Sequence, residues 1–238
     1  NLYLSLLNLE SKFGDKQTLN DIYRRACSAC APIPIWKRYV HIHIESQNHD
    51  RVENLLKMGV KKFKNEVEVW KFYIRYVVTT KKSHKEAKAL LKRALLVLPQ
   101  HQHVSLIEYL GKCEYEFGSK NRGITIFEGL ITSHPKRWDI WSRYIDMLAR
   151  DDDHHDKTRA LFQRVQSQKW SSKRMKALYK KWYDFEQKID GDVEKVAELA
   201  RQYIQGLDKK EDEEEDEGSS SDSSDSSDSD SSDSDDDD

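Results

Sequence analysis

Apolar residues in the stretch 137–150 recur at the spacing of an α-helix. They fall at i, i+3, i+6, i+7 and i+10, so they share one helical face, which consists of Trp138, Trp141, Tyr144, Ile145 and Leu148. Pro135 precedes this helix and pushes the residue before it out of the helical region. An acidic turn at 151–153 and a second helical run at 157–166 follow. The pattern therefore predicts a helical hairpin.

The same two-helix pattern recurs along the chain. Its first helix carries W-x-x-Y-x-x-apolar or a looser version, with first anchors at Tyr3, Trp36, Trp70, Ile107, Trp141 and Tyr179. Successive first anchors are 33 to 38 residues apart. The second helix carries a pattern of the form L-F-x-R, which keeps the same period. Two independent patterns with one period predict an all-α fold, a right-handed α-solenoid of about six hairpins that resemble tetratricopeptide repeats (TPRs).

The hydrophobic pattern also gives the bounds of each helix. We predict six helix pairs, which are 2–13 with 17–29, 35–47 with 50–63, 67–79 with 84–97, 104–117 with 122–132, 137–150 with 157–166, and 173–187 with 193–205. The fourth pair is the weakest, because Gly111, Gly123 and Gly129 lie inside its helices and each costs about 1 kcal/mol in helix propensity. Their small size also permits close helix packing. The repeat domain is expected to cover residues 1–207.

Residues 208–238 differ sharply from the rest of the chain in charge. They contain 17 acidic residues and two lysines, whereas residues 1–207 contain 38 basic and 25 acidic residues, a net charge of +13. A segment without apolar residues cannot form a core, so we predict a disordered tail. Serines there precede acidic residues and resemble casein kinase 2 substrates, namely Ser221, Ser224, Ser227 and Ser229. The tail could fold onto the basic domain, screen it against non-specific RNA, or simply solubilise the protein.

A basic balance of this size on a helical domain indicates a polyanionic partner, and nucleic acid is the expected one inside a cell. The candidate RNA contacts lie in four basic clusters. They are Lys61, Lys62, Lys64, Lys81, Lys85, Lys88, Lys92, Arg93, Lys136, Arg137, Lys173, Arg174, Lys176 and Lys180. Four of these lysines, from Lys81 to Lys92, have the 3–4 spacing of one helical stripe. The alternative interpretation is that each cluster is a solvated helix face.

No motif of an enzyme is found in the sequence. The glycine-containing segment 118–123 lacks the G-K-[ST] ending of a phosphate-binding loop. Three glutamates, Glu10, Glu114 and Glu186, share one repeat position, which indicates a structural hydrogen bond rather than acid–base catalysis. We therefore predict a non-enzymatic protein with no small-molecule substrate.

Two groups of metal-ligand residue types are interpreted as structural. Cys27 and Cys30 end a helix and lack a second ligand pair, because His41 and His43 point to opposing faces of the next helix. The other group, residues 151–156, occupies a turn between helices, where polar residues are expected. We predict no metal and no cofactor.

Targeting and membrane signals are also lacking in the sequence. No run of 18 apolar residues is present, and the first residues lack the basic start and cleavage site of a signal peptide. Three cysteines without framework spacing fit a reducing compartment. The chain opens inside a helix without an initiating Met, so we expect it to be a fragment of a longer protein.

The paired patterns, W-x-x-Y-x-x-[FL]-E and [LI]-[FY]-x-R-A, resemble half-a-TPR (HAT) repeats, which are typical of RNA-processing assemblies. Within that group the chain is most similar to the C-terminal repeat region of the ribosomal RNA biogenesis factor family, whose members carry S1 RNA-binding domains ahead of the repeats. The segments that carry the resemblance are Leu7–Glu10, Arg93–Pro99, His134–Trp141, Tyr144–Met147, Ser172–Lys176 and Phe185–Glu186.

This resemblance implies a nuclear and nucleolar scaffold that binds precursor rRNA and pre-ribosomal assembly factors. A second hypothesis is a purely protein-binding HAT array of an mRNA splicing or 3′-end-processing complex. The two hypotheses differ in whether the domain itself has affinity for RNA.

Overall fold

The structure, a computed structural model, describes residues 2–218 and the side chains of residues 2–207. Within residues 2–218 it contains helices and no strand, which confirms the all-α prediction. The α-helices are α1 Leu2–Phe13, α2 Lys16–Ala29, α3 Pro32–Glu45, α4 His49–Lys62, α5 Val67–Tyr76, α6 His84–Val97, α7 His103–Phe117, α8 Lys120–Ser133, α9 Trp138–Leu148, α10 His155–Gln166, α11 Ser172–Lys188 and α12 Val193–Gly218. They form successive pairs at the predicted positions.

Short polar residues start several second helices of the hairpins. The Asp15 side chain accepts hydrogen bonds from the backbone N–H groups of residues 17 and 18 at the start of α2. Asn48 and Ser83 cap α4 and α6 in the same way. Such caps satisfy backbone donors that have no partner within the helix. The turns are therefore encoded locally, next to the apolar patterns.

The third hairpin departs from the predicted helix bounds. The α5 helix is followed by a π-helical turn, Val77–Lys81, and Lys82 then adopts a left-handed conformation with φ of 52°. The prediction of a single helix ending at residue 79 is therefore wrong. Four β-branched residues in a row, 77–80, lower α-helix propensity at this point.

The last helix is longer than predicted. The α12 helix runs to Gly218, beyond the end predicted at residue 205 and into the segment predicted to be disordered. Glutamate and lysine have high helix propensity, so a segment that lacks apolar residues can still continue an existing helix. Residues 219–238 lie outside the described part of the chain.

The chain divides into two compact units, Asn1–Met147 and Leu148–Asp238. In the first unit, α3 packs against both α1 and α2, and α7 packs against both α5 and α6. The first helix of one hairpin therefore occupies the groove between the two helices of the preceding hairpin. In the second unit, α11 packs against α10 and α12.

Aromatic side chains stack between successive hairpins. Tyr23 of α2 stacks on Tyr39 of α3, with ring centroids 4.0 Å apart. The same relation joins two further ring pairs at 5.2 Å each, which are Phe127 with Tyr144 and Phe162 with Trp182. In each pair, one ring lies on the second helix of a hairpin. The other ring is the second aromatic residue of the W-x-x-Y motif, or its equivalent, in the first helix of the next hairpin. The two sequence patterns thus meet in the core.

Glycine allows α7 and α8 to approach closely. A Cβ atom on Gly123 would lie 2.6 Å from the Tyr115 Cβ and 2.8 Å from the Gly111 carbonyl oxygen. One on Gly111 would lie 3.1 Å from the Phe127 ring. A Cβ on Gly129 would meet no atom within 4 Å. The predicted close packing therefore applies to Gly111 and Gly123, while Gly129 faces open space.

Candidate nucleic-acid interface

The α6 helix presents a continuous basic stripe. Lys85, Lys88 and Lys92 are all exposed, and their 3–4 spacing places them on one face of the helix. Arg93 is exposed beside them, and Leu96, which is 87% exposed, ends the stripe. None of these four basic side chains forms an ion pair with another described residue. Their charge is therefore available to an external anion.

Lys81 does not belong to this stripe, although the sequence predicts that it does. It lies in the π-helical turn before α6, and its Nζ atom is 2.6 Å from Glu86 Oε2 and 3.3 Å from Glu53 Oε1. The hydrogen bond to Glu86 raises the pKa of Lys81. Two carboxylates already neutralise Lys81, which therefore links α4 to α6, and its contact with RNA stays a prediction.

The basic cluster at the end of α4 is exposed as predicted. Lys61 and Lys62 are the last two residues of α4, and Lys64 lies in the turn that follows. The Lys62 ammonium lies over the Phe63 ring, 5.5 Å from its centroid. Lysines at the C-terminal end of a helix also interact favourably with the helix dipole. This cluster thus has a structural role in addition to any role in RNA binding.

The third cluster contains one exposed lysine and one paired arginine. Arg137 donates from Nη2 to Asp139 Oδ2 at 2.5 Å and from Nε to Oδ1 at 3.1 Å. The hydrogen bond from Arg137 lowers the pKa of Asp139. Lys136 is exposed beside this pair. Arg137 was predicted to contact RNA, but its guanidinium is partly neutralised within the protein.

The fourth cluster lies on α11 in the second unit. Its members are exposed, namely Lys173, Arg174, Lys176 and Lys180. The Arg174 guanidinium lies 5.7 Å from the centroid of the Trp170 ring, in a cation–π contact. The three lysines repeat at 3–4 spacing and form a second basic stripe.

The glutamates at the shared repeat position have the structural role predicted for them. Glu114 is 1% exposed, and its carboxylate accepts hydrogen bonds from His84 Nδ1 at 2.8 Å and Arg122 Nε at 3.0 Å. Because His84 starts α6 and Arg122 lies in α8, this carboxylate joins two hairpins. Glu186 is bound by Arg159 in the corresponding way. Glu10 accepts from Thr18 within the first hairpin.

The partners of Glu114 were not found from the sequence. His84, Arg122 and Lys82 line a polar cavity of 200 Å³ above the buried carboxylate, and Lys82 Nζ donates to the Phe117 carbonyl oxygen at 3.0 Å. Glu114 stands at a repeat position that faces the protein interior, and a buried carboxylate needs hydrogen-bond donors nearby. The repeat position therefore indicated that donors exist, but not which residues supply them. Which residues supply them depends on the packing of α6 and α8 against α7.

The candidate metal ligands are placed as the sequence suggests. Cys30 is the exposed C-terminal cap of α2, Cys27 is half-buried, and both are free thiols. The His41 ring packs edge-on against Phe72, while the His43 ring packs against Tyr39. Over residues 2–207, whose side chains the structure describes, it brings together no group of three or more metal-ligating side chains.

Two other predictions concern regions beyond these side chains. The candidate phosphorylation sites Ser221, Ser224, Ser227 and Ser229 lie outside the described residues. Among the helices of residues 2–218, none combines the length and apolar character that a membrane crossing requires.

Comparison with known proteins supports the interpretation of the repeats. The family model for Suppressor of forked protein (Suf) matches residues 1–101 and 100–217. The rRNA biogenesis protein rrp5 of Schizosaccharomyces pombe is 35% identical over 205 residues, 86% of this chain and 12% of that protein. The rRNA biogenesis protein RRP5 of Arabidopsis thaliana is 31% identical over 208 residues, 86% of this chain and 11% of that protein.

A protein RRP5 homolog of Mus musculus is 31% identical over 209 residues, again 86% of this chain and 11% of that protein. The chain therefore spans 11–12% of the length of these curated relatives. The predicted resemblance to ribosomal RNA biogenesis factors with HAT-like repeats is confirmed.

Proposed function

This chain belongs to the Suppressor of forked family, and we propose that it is a non-enzymatic scaffold in ribosome biogenesis. In this role its exposed basic helix faces bind precursor rRNA, and its helical repeats hold pre-ribosomal assembly factors in the nucleus and nucleolus. Similarity to several proteins named for rRNA biogenesis supports this function over the alternative, a protein-binding array in mRNA splicing or 3′-end processing.

The observation that carries the RNA-binding part is the basic stripe of α6. Lys85, Lys88 and Lys92 cover about 10 Å along one helix face, and their ammonium groups have no carboxylate partner among the described side chains. Such a row can neutralise successive phosphates of one RNA strand, with an affinity that depends on salt and little on sequence. The stripe on α11 offers a second surface of the same kind.

The acidic segment 208–238 supplies a competitor for these stripes. It carries 17 acidic residues against two lysines, so in this proposal it lowers non-specific RNA binding by occupying the same lysines. Phosphorylation of the four serines Ser221, Ser224, Ser227 and Ser229 would add negative charge and strengthen that competition. RNA that offers many phosphates in a fixed geometry would displace the segment.

The test is the binding of a precursor-rRNA fragment to the full chain across a salt series. We expect the triple variant Lys85→Glu, Lys88→Glu and Lys92→Glu to bind more weakly, with a salt slope smaller by about 2, because three phosphate contacts to single-stranded RNA are lost. A variant that ends at Gly218 retains every described residue and should bind more tightly than the full chain.

A control variant carries the same change in total charge at Lys12→Glu, Lys16→Glu and Lys195→Glu. It distinguishes a specific contribution of the α6 stripe to RNA binding from an effect of the net charge of the protein. These three lysines are exposed but lie on three different helices. Equal losses in both triples would reduce the α6 stripe to a general charge effect. No binding by the full chain or the Gly218 variant at low salt would contradict direct RNA contact.

A further inference from the structure

The last hairpin leaves an apolar groove open between α11 and α12. The cavity has a volume of 270 Å³ and is lined by Tyr179 and Tyr183 from α11 and by Ala200, Tyr203 and Ile204 from α12. Tyr183 is 39% exposed and Ile204 is 44% exposed, although both are large apolar side chains. An open apolar cavity of this kind indicates a binding surface.

In earlier hairpins the corresponding groove is filled by a helix. The α3 helix occupies the groove of α1 and α2, and α7 occupies that of α5 and α6. Where two hairpins share an aromatic pair, the incoming helix stacks one ring on a ring of the second helix that forms the groove. Tyr39 stacks on Tyr23 in this way. The groove of α11 and α12 is thus a standard helix-packing position. No helix of the described chain follows α12.

In the α11/α12 groove, Ala200 takes a position that holds an aromatic ring in three other hairpins. Tyr23, Phe127 and Phe162 lie 20 or 21 residues after the first anchor of their hairpins, and Ala200 lies 21 residues after Tyr179. Three hairpins therefore carry a ring where the incoming helix packs, the second and third carry leucine at Leu56 and Leu90, and the last carries a methyl group. Residues 208–238 contain no apolar side chain, so they cannot fill the space. An aromatic residue of the occupant would fill this space.

A basic side chain at the edge of the groove indicates that the bound helix carries an acidic residue next to its aromatic residues. An ion pair of the first unit shows this relation. Lys37 directly follows the first anchor Trp36, and its Nζ atom lies 3.4 Å from Oε2 of Glu68. Glu68 stands two residues before Trp70, the first anchor of the next hairpin. Lys180 holds the position of Lys37 in the last hairpin, because it follows Tyr179. It lines the groove, is exposed, and has no ion-pair partner among the described side chains.

We propose that the α11/α12 groove binds an amphipathic helix of a partner protein with the pattern [DE]-x-W-x-x-Y. Its aromatic residues fill the space above Ala200, and its acidic residue pairs with Lys180. The mostly apolar lining and the repeated helix-in-groove packing favour a helix over RNA, since RNA offers phosphates and polar base edges rather than an apolar face. This interaction goes beyond the binding of rRNA.

The test uses the full chain and a synthetic peptide of residues 65–80, which carries Glu68, Trp70 and Tyr73 in the required pattern. We expect the labelled peptide to bind, and Ala200→Trp to weaken binding by about 10-fold or more, because the new ring fills the space that a peptide side chain would enter. The control Ala160→Trp places the same ring on an exposed position of α10 and should leave the affinity within about 2-fold.

A charge exchange provides a second variant that does not depend on how well Ala200→Trp folds. The Glu68→Lys peptide should bind the unmodified chain more weakly, and Lys180→Glu in the chain should restore its binding. Lys180 is exposed, so this substitution is not expected to affect folding. Restored binding would show that the acidic residue of the peptide pairs with Lys180.

Four outcomes would overturn the proposal. The first is no binding of the peptide to the unmodified chain, and the second is equal binding by the Ala200→Trp and Ala160→Trp variants. The third is binding of a single-stranded RNA oligonucleotide that Ala200→Trp weakens as much as it weakens peptide binding, which would identify RNA as the occupant of the groove. The fourth is concentration-dependent self-association that Ala200→Trp abolishes, which would identify a second copy of this chain.

Discussion

Arg159 binds the carboxylate of Glu186 through two parallel hydrogen bonds, from Nε to Oε1 and from Nη2 to Oε2, each at 2.9 Å. Trp182 donates a third hydrogen bond to Oε1 at 3.2 Å. Because Arg159 lies in α10 and Glu186 in α11, the pair joins two successive hairpins. Glu186 is only 2% exposed, so the bidentate geometry stabilises a buried carboxylate through a counter-ion that is partly exposed.

We expect Glu186→Gln to lower the free energy of unfolding by about 1–3 kcal/mol, because the guanidinium loses its charged acceptor while the shape of the side chain is kept. The cost is less than for a fully buried pair, since the Arg159 side chain is 38% exposed and can be hydrated. Urea unfolding followed by tryptophan fluorescence measures the effect.

Glu194→Gln is the matched control, because Glu194 is 79% exposed and pairs only on the surface with Arg201. Its unfolding midpoint should be unchanged. Equal effects of the two substitutions would show that the buried pair contributes no more than a surface pair.

The same pair predicts how stability changes with pH. The hydrogen bond from Arg159 lowers the pKa of Glu186 in the folded state. A depressed pKa stabilises the folded protein above the pKa of the unfolded chain, about 4.3, and this contribution disappears as pH falls through the folded value. The stability difference between the unmodified chain and Glu186→Gln should therefore shrink as pH falls below about 4.3 and through the lower pKa of the folded state. A constant difference over that range would contradict the assignment.

Two glycines of α8 should respond to alanine in opposite directions. Gly123→Ala should destabilise the protein by about 1–3 kcal/mol, because the new methyl group would meet backbone atoms of α7 at 2.8 Å. Gly129→Ala should stabilise it by about 0.5–1 kcal/mol, because its Cβ meets nothing and alanine has the higher helix propensity. Thermal or urea unfolding of the two variants checks the sign. A stabilising Gly123→Ala would contradict the close approach of α7 and α8.

The stacked pair Phe162 and Trp182 should show energetic coupling. Their rings are parallel within 2° and their centroids are 5.2 Å apart. A double-mutant cycle with Phe162→Leu and Trp182→Leu should give a coupling energy of about 0.5–1.5 kcal/mol. Tyr183 lines the α11/α12 groove and provides the control. A cycle with Phe162→Leu and Tyr183→Leu should give additive changes in the free energy of unfolding. Additivity in both cycles would mean that the rings only fill space.

Much of the fold could be predicted from the sequence because its signals are local. The W-x-x-Y spacing placed Trp36, Trp141 and Tyr144 on buried faces, where the structure has them. The shared position of Glu114 and Glu186 correctly indicated structural hydrogen bonds. The bounds of α5 and α12 were wrong, because the π-helical turn and the continuation of α12 depend on weak local preferences.

The candidate RNA site was predicted only in part, because exposure and ion pairing are not local properties. Lys81 and Lys85 are equivalent in their sequence spacing, yet Lys81 is neutralised by Glu53, which is 28 residues away in the sequence. Lys85, Lys88 and Lys92 are exposed as the stripe requires. The sequence cannot distinguish these cases without knowing which helices are neighbours.

The sequence by itself determined the period of the repeats, the helices and the residues that face the core, because helical spacing and turn signals act over a few residues. Only the tertiary structure decided which side chain meets which partner. It paired Arg159 with Glu186, stacked Tyr39 on Tyr23, and left the groove at Ala200 open. These outcomes depend on contacts between helices that are 16 or more residues apart in the sequence, and no pattern within one helix contains that information.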